Sequence, residues 1–321
     1  MKLRQRLRTL ASIARAKRAL RLAPGGRPSL AAQAHDLSAQ DFGRMDDPAL
    51  AAVWLGHATV LVHLGGKWVL IDPVFSKRVG PRIGPVIQFG PRRLFDSPVE
   101  IHELPPIDFI LISHAHFDHL DARSLEVLKS KKTSVITALR TRSLIPRGYR
   151  QVVELGWDHS LTIDDLTFRA VEPRHWGARW YVDRHRGYNS YLVSSPTISC
   201  LLAADTAHTR TYDRLADEVP DLALGVFGIG AYDPWTHQHA TPEEAWDMFA
   251  VSGARCMMPM HHSTFILSNE PIDEPLRRLY AAAGPEQAHR IVGVEPGEVW
   301  TSDGTPSPDA TTTNTAAQPR E

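Results

Sequence analysis

The sequence predicts an α/β layered sandwich, on three observations. Short apolar runs of strand length recur through the chain. Helical patterns are interleaved with them. Histidine and aspartate stand repeatedly at the carboxyl ends of the apolar runs. At 321 residues, 43% apolar and 22% charged, the chain has the size and composition of a globular protein with a sizeable core.

The elements follow in order. Residues 1–47 read as an N-terminal extension, 48–304 as the catalytic domain, and 305–321 as a polar tail too poor in apolar residues to fold. The extension opens with Leu3, Leu7, Leu10, Ile13 and Ala14 at helical spacing between basic residues, the pattern of a helix that lies on an anionic membrane or docks on its own domain. The domain opens with strands at Ala52–Leu55, Thr59–Leu64 and Lys67–Asp72, the last two joined by Gly65-Gly66, a two-residue hairpin signal. Ile107–Ser113 is a near-continuous apolar run and therefore a buried strand; it leads into His114–His119 and a helix over Ala122–Ser130 capped by Asp121. Strands are expected near Val135–Thr137, Val152–Leu155, Leu166–Glu172, Ser190–Val193, Ile198–Ala204, Leu222–Ile229 and Cys256–Met260. Helices are expected at Thr209–Asp217, Pro242–Val251 and Glu274–Ala283. There is no short internal repeat and no glycine-rich phosphate loop.

Charge and cysteine content narrow the function. The 36 Lys/Arg balance 36 Asp/Glu, but residues 1–30 hold nine basic residues and no acid, leaving 27 basic against 36 acidic residues, a net of −9, in the remainder. A domain with that balance and no basic, aromatic-interleaved stripe is not built for nucleic acid. No run approaches the roughly 20 apolar residues that cross a bilayer. The basic N-terminus lacks a continuous apolar core and is a poor secretory signal. Cys200 and Cys256 form no disulfide framework; both are expected as buried thiols of a cytoplasmic protein, with a bond between them the less favoured alternative.

The segment His114-Ala115-His116-Phe117-Asp118-His119 carries the chemistry. Three imidazoles and a carboxylate within six positions, directly after a buried strand, suit zinc and related divalent metals. His114 and His116 project to one side of an extended segment, and Asp118 and His119 to a neighbouring point, so one strand end serves two metals. The remaining ligands must come from other strands. His175, Asp205 and His261 each stand at or just beyond the carboxyl end of an apolar run, the edge where α/β sheets build their sites. Asp205, with two oxygens, is the natural bridging ligand.

These residues also carry a resemblance. Trp54-Leu-Gly-His-Ala-Thr59, Leu70-Ile-Asp-Pro-Val-Phe75, Leu104-Pro-Pro-Ile-Asp108, His114–Asp121, His175-Trp176, Ala204-Asp205-Thr206, Ile229-Gly-Ala-Tyr232, His239-Ala-Thr-Pro-Glu-Glu-Ala245 and Pro259-Met-His261 look like the metallo-β-lactamase superfamily. Within it they most resemble the branch of N-acyl phosphatidylethanolamine phospholipase D, with the ascorbate-phosphate lactonases a more distant likeness. The resemblance implies a four-layer αβ/βα sandwich. It implies that His114, His116 and His175 hold a first metal, that Asp118, His119 and His261 hold a second, and that Asp205 bridges them. It also implies that His239 faces the reacting group of the substrate. Two departures stand out. His262 replaces the tryptophan that often follows the last ligand, so His261 and His262 compete, and His261 is taken by position. The family's Gly-Asp-Thr-Gly is Ala204-Asp205-Thr206-Ala207 here, which bears on the shape of that loop.

Around this set, Asp72 is either an acceptor that orients a ligand histidine or a turn residue before Pro73, and His57 is either near the metals or structural. Arg92 and Arg93 read as a solvated pair or a phosphate contact. Trp176, Trp180 and Tyr181 read as core or pocket wall. His102, His159, His208 and His289 read as surface or structural.

The expected function is a hydrolase with two divalent cations, Zn2+ first and Mn2+ or Fe as alternatives, acting on a phosphodiester through an activated water. In it Asp118 holds the water's proton, and His239 hydrogen-bonds the substrate or protonates the leaving group. Lactone or ester hydrolysis, and a non-catalytic metal-binding regulatory protein, are the alternatives. The expected partners are a small-molecule or lipid substrate and, through the basic N-terminal helix, a membrane surface.

Overall fold

The computed structural model describes residues 34–304 apart from 85, 86, 181 and 220. The reading of the extension's opening helix, that of the tail from residue 305, and Tyr181 lie outside the described residues.

Helix α1 (Ala39–Asp46) leads into strands β1 (Leu50–Gly56), β2 (Thr59–Leu64) and β3 (Lys67–Ile71), then a small hairpin of β4 (Arg82–Ile83) and β5 (Ile87–Gln88). Next come β6 (Phe109–Ile112), α2 (Ala122–Val127), β7 (Ser134–Ala138) and β8 (Gln151–Leu155). The second half runs β9 (Ser160–Ile163), β10 (Leu166–Val171), β11 (Ser190–Ser194), β12 (Ser199–Ala204), α3 (Leu215–Glu218), β13 (Leu222–Gly228), α4 (Pro242–Ser252), β14 (Cys256–Met260), α5 (Glu274–Gln287) and β15 (Val299–Thr301).

Two sheets result, ordered β15-β1-β2-β3-β6-β7-β8 and β14-β13-β12-β11-β10-β9. Both are mixed: β3, β6, β7 and β8 are parallel, as are β12, β13 and β14, and the other pairs are antiparallel. Alternation explains why these strands look uniformly apolar in sequence. In β1, Ala52 and Trp54 face the second sheet, while Ala51, Val53 and Leu55 face the outer helices. In β12, Cys200 and Leu202 point inward and Leu201 and Ala203 outward. Both faces of each sheet are therefore covered, and the helices lie outside: α1 and α2 on the first sheet, α3, α4 and α5 on the second. This is the four-layer αβ/βα sandwich.

Local chemistry sets the ends. Gly65 and Gly66 take φ of 56° and 72°, the left-handed pair that a tight hairpin requires. Thr241 and Glu244 form a capping box on α4, Pro242 fits its first turn, and Gly253 (φ 82°) ends it. Asp121 caps α2 as expected, but α2 stops at Val127 rather than Ser130. The helix expected over Thr209–Asp217 shrinks to the four residues of α3, because the Thr209 and Thr211 hydroxyls pair at 2.8 Å and Thr209 takes the Thr211 N–H, turning the chain locally. Helix α5 runs past Ala283 to Gln287 across a break at Gly284 (φ 67°) before Pro285. Strands β4, β5, β9 and β15 were not expected from sequence.

The boundary drawn at residue 47 also shifts. A capping box of Ser38 and Asp41 starts α1, and its Phe42 and Met45 are buried on the first sheet, with Phe42 edge-on to Trp68 at 6.0 Å. The chain from about residue 34 thus belongs to the packed domain. Cys200 is buried, Cys256 only partly so, and both are free thiols. Each pairs with Leu224 from opposite sides, so they sit two strand spacings apart, roughly 9.6 Å, beyond disulfide reach.

Across the sandwich, the Tyr191 hydroxyl donates to the Ile112 carbonyl at 3.0 Å. The Asn189 side-chain amide donates to the Leu155 carbonyl at 2.8 Å, and its backbone N–H to that of Ser113 at 2.9 Å. These bonds join the start of β11 to the ends of β6 and β8. Among the described residues no helix is long and apolar enough to cross a membrane.

Candidate metal centre

Ser113 follows β6 and hands the chain to the histidine-rich turn. The rigid ends of β6, β10, β12 and β14, with the loop before α4, deliver the remaining side chains to one place. His114 Nε2 lies 2.8 Å from His116 Nδ1 and 3.8 Å from Asp205 Oδ2. His175 Nε2 lies 3.4 Å from His116 Nδ1 and 3.6 Å from Asp205 Oδ2. On the other side of Asp205, His119 Nε2 stands 3.0 Å from Oδ2 and His261 Nε2 3.2 Å from Oδ1. His261 Nε2 is also 3.5 Å from Asp118 Oδ2, and His239 Nδ1 is 3.8 Å from Asp205 Oδ2. Every site residue singled out in the sequence is brought to this cluster. Two groups, His114, His116, His175, Asp205 and His57, Asp118, His119, His261, each have ligand atoms within 4.8 Å of one another, as does the trio Asp205, His239, His261.

The competing residues separate cleanly. His57 joins the second group, with Nε2 3.1 Å from Asp118 Oδ2. Asp72 acts as the orienting acceptor: its Oδ2 takes the His119 Nδ1 proton at 2.7 Å and the Ser113 hydroxyl at 2.5 Å. The Gln238 carbonyl orients His175 in the same way at 3.0 Å. His262 points elsewhere, stacked on Trp54 at 4.6 Å and bonded to Ser263 Oγ at 2.9 Å. Arg93 is not solvated; it is buried and braces the Val74 and Leu55 carbonyls, while Arg92 is exposed. Trp176 lines the cavity over the cluster, Trp180 is 54% exposed, and His102, His159, His208 and His289 lie on the surface.

Backbone strain gathers here. His57, Asp72, Ala204, Ala231, His261 and Ser263 all have φ between 38° and 63°, a region that costs a non-glycine residue roughly 1–2 kcal/mol. Ala204, standing where the resembled family carries glycine, takes φ 54°, so the loop before Asp205 keeps a left-handed turn with alanine in it.

Burial and charge set the protonation states. Burial drives His116 down to about 4 and His175 and His239 to about 3, and drives His114 well below its usual value, so these imidazoles are neutral, lone-pair donors. Burial also opposes a charge on His119, but the Asp205 and Asp72 carboxylates outweigh it and raise that group. Burial works against the Asp118 charge too; hydrogen bonds from His261 and His57 overcome it and hold Asp118 ionised. A field that favours a proton on His119 also favours a cation in its place.

The donor set fits divalent metal. Buried nitrogens and oxygens ordinarily find hydrogen-bond partners, yet His119 Nε2, Asp205 Oδ1 and His261 Nε2 have none of proper geometry, although both ring nitrogens face the Asp205 carboxylate. Neutral imidazoles and ionised carboxylates crowded this closely are a metal-binding arrangement.

Sequence reasoning missed Arg179. Its guanidinium reaches the carbonyls of Ala115 (3.2 Å), His116 (3.3 Å) and Leu120, and lies 3.9 Å from the centre of the Phe117 ring. Asp183 accepts from the backbone of Arg179 and Trp180 and from the Arg186 side chain, which holds residues 176–180 and 182–186 over the histidine turn. Only tertiary structure brings an arginine 59 positions away from Leu120 to these carbonyls.

Two facing sheets with such a cluster at their loop edge define the class: a metal-dependent hydrolase of the metallo-β-lactamase fold. Known proteins agree. Residues 67–262 match the model of the β-lactamase superfamily domain, and the chain belongs to that family. A protein of Mycobacterium tuberculosis is 33% identical over 278 residues, covering 82% of this chain and 71% of the relative. The N-acyl-phosphatidylethanolamine-hydrolyzing phospholipase D 1 of Caenorhabditis elegans is 28% identical over 289 residues, covering 83% of this chain and 79% of the enzyme. Among solved structures, a metallo hydrolase of Ignicoccus hospitalis superposes with a TM-score of 0.59 at 17% identity, covering 78% of this chain and 97% of that one.

Proposed function

We propose that this hydrolase cleaves a phosphodiester, with a phospholipid as the physiological class, at two divalent cations, Zn2+ first among them. The convergence of His114, His116, His175 and Asp205 on one side and Asp118, His119, His261 and Asp205 on the other is the observation that supports it. The likeness to a phospholipid-hydrolysing enzyme supports the substrate class. His114, His116 and His175 would hold one cation, Asp118, His119 and His261 the other, and Asp205 would touch both. Such a pair, when bound, supplies Lewis acidity toward the substrate oxygen and acidifies a water.

The chain's own groups do the rest. Asp118, kept ionised and steadied by His57 at 3.1 Å, accepts the proton of the attacking water. His239, mostly buried and lining the cavity, donates a hydrogen bond from its neutral ring to the phosphoryl oxygen, and the proton taken up by Asp118 passes to the departing alkoxide. Trp176, Trp235 and Leu267 in the cavity wall exclude bulk water. In the same reading, the nine basic residues of the segment 1–30 would keep the enzyme on an anionic bilayer.

A panel of phosphodiesters, carboxylic esters and lactones, assayed with the zinc- and manganese-loaded protein, tests the reading. Phosphodiester turnover is expected, and His114→Ala and Asp205→Ala are expected to lose it at least a thousandfold while remaining folded. Turnover of esters or lactones alone would reassign the reaction, and silence toward all three would point to a binding role.

A further inference from the structure

A second recess lies against the candidate centre. Its volume is about 350 Å3, and Phe265, Ile266, Leu267, Ile272 and Pro275 line it. It shares Ala231, His261 and Leu267 as wall with the cavity that holds Asp118, Asp205 and His239, whose volume is about 320 Å3. One space thus opens on the metal-binding donors, and the adjoining one is mostly apolar.

The polar groups around this second space are largely spent on the loop itself. Glu270 accepts from the Ala231 N–H at 2.6 Å, the Ser268 hydroxyl at 2.5 Å and the Asp233 N–H at 3.1 Å. The Ser263 hydroxyl donates to the Ile272 carbonyl at 3.2 Å. The exceptions are Asn269, whose buried side-chain oxygen has no partner, and the rings of His261 and His262, which keep unpartnered nitrogens in the wall. A wall that is mainly apolar, with its carboxylate and hydroxyl groups already paired, gains more from hydrocarbon than from water.

We propose that this recess holds the hydrocarbon arm of the substrate, attached to the anionic group seated among the donors, and that the arm is a single chain of limited length. The proposal rests on the phosphodiester reading for the anionic end. The size sets the limit: 350 Å3 admits roughly a dozen methylene-sized groups at the ~30 Å3 each that a water molecule occupies in the liquid. One medium alkyl or arylalkyl chain fills this volume, and any further chain of a phospholipid would stay outside the recess. Adjacency across Ala231, His261 and Leu267 favours an occupant that is part of the reacting molecule over a separate ligand.

The test is calorimetric binding of an n-alkylphosphonate series, ethyl to dodecyl, to the zinc-loaded full chain. Affinity is expected to rise about three- to fourfold per methylene until the recess is full, and then to level off. Ile272→Trp and Ile266→Phe, which fill the space from opposite residues, are expected to move that plateau to shorter chains. Affinity that ignores chain length, absence of binding, or a plateau unmoved in both folded variants would overturn the proposal. A chain-length plateau in a protein that turns over no phosphodiester would leave the recess standing and remove the reaction assigned to it.

Discussion

His119 donates its Nδ1 proton to Asp72 and turns Nε2 toward Asp205, so the second-row carboxylate chooses the tautomer that presents a lone pair to a cation. Asp72→Asn removes that acceptor charge with little change of shape. Zinc affinity is expected to fall about 10- to 100-fold, read by competition with a chromogenic chelator; an unchanged affinity would show that Asp72 is only a turn residue. At this scale the sequence was legible where ligands cluster. Four donors in six positions after an apolar run announce themselves, and His175, Asp205 and His261 follow from their places at strand ends. His57 stayed ambiguous because its partner Asp118 is 61 positions away, and Arg179 was invisible because nothing local distinguishes it from a surface arginine.

Arg179 acts on a whole element, the turn between β6 and α2. Its guanidinium gathers the Ala115, His116 and Leu120 carbonyls of the turn, where that of His116 also accepts from the His119 and Leu120 N–H groups. Arg179→Ala is expected to cost on the order of 3 kcal/mol in urea unfolding and to weaken zinc binding. Arg179→Lys should recover only part of both, since an ammonium lacks the planar fork. Equal recovery by lysine would mean that charge alone matters. Helix α1 offers a second test: Phe42→Ala is expected to cost about 3–5 kcal/mol if the segment from residue 34 is core, and a loss below 1 kcal/mol would return it to the extension. Strands were readable because both sheet faces are buried and the runs are apolar. Strand β9, with exposed Ser160 and Thr162, and the three-residue β15 carry no such signal, and their pairing comes from β10 and β1. Helix α1 depends on one Ser-x-x-Asp cap, a weak sign without its packing.

Across the molecule, the buried neutral imidazoles tie stability to acid. Burial holds His57 and His262 near 3, below the 6.5 of an exposed imidazole. Below about pH 6.5 the unfolded chain therefore binds protons that the folded chain refuses. Stability of the chelator-treated protein is expected to be flat above that pH. It should fall as pH drops toward 3, by up to about 1.4 kcal/mol per pH unit for each such group. Urea midpoints measured between pH 7.5 and 5 check this; a midpoint that rises on acidification would contradict it. Deletion of residues 1–30 is expected to reduce sedimentation with anionic vesicles while sparing turnover of soluble substrates, and equal sedimentation would discard the anchor.

The bonds that Tyr191 and Asn189 throw from β11 to the ends of β6 and β8 have a mechanical consequence. They weld the two halves of the sandwich directly behind His114, so one sheet cannot slide past the other without tearing polar pairs out of a dry interior. The breathing needed for a molecule to enter and leave then falls to the covering segment 263–275, which rides on a frame that itself stays still.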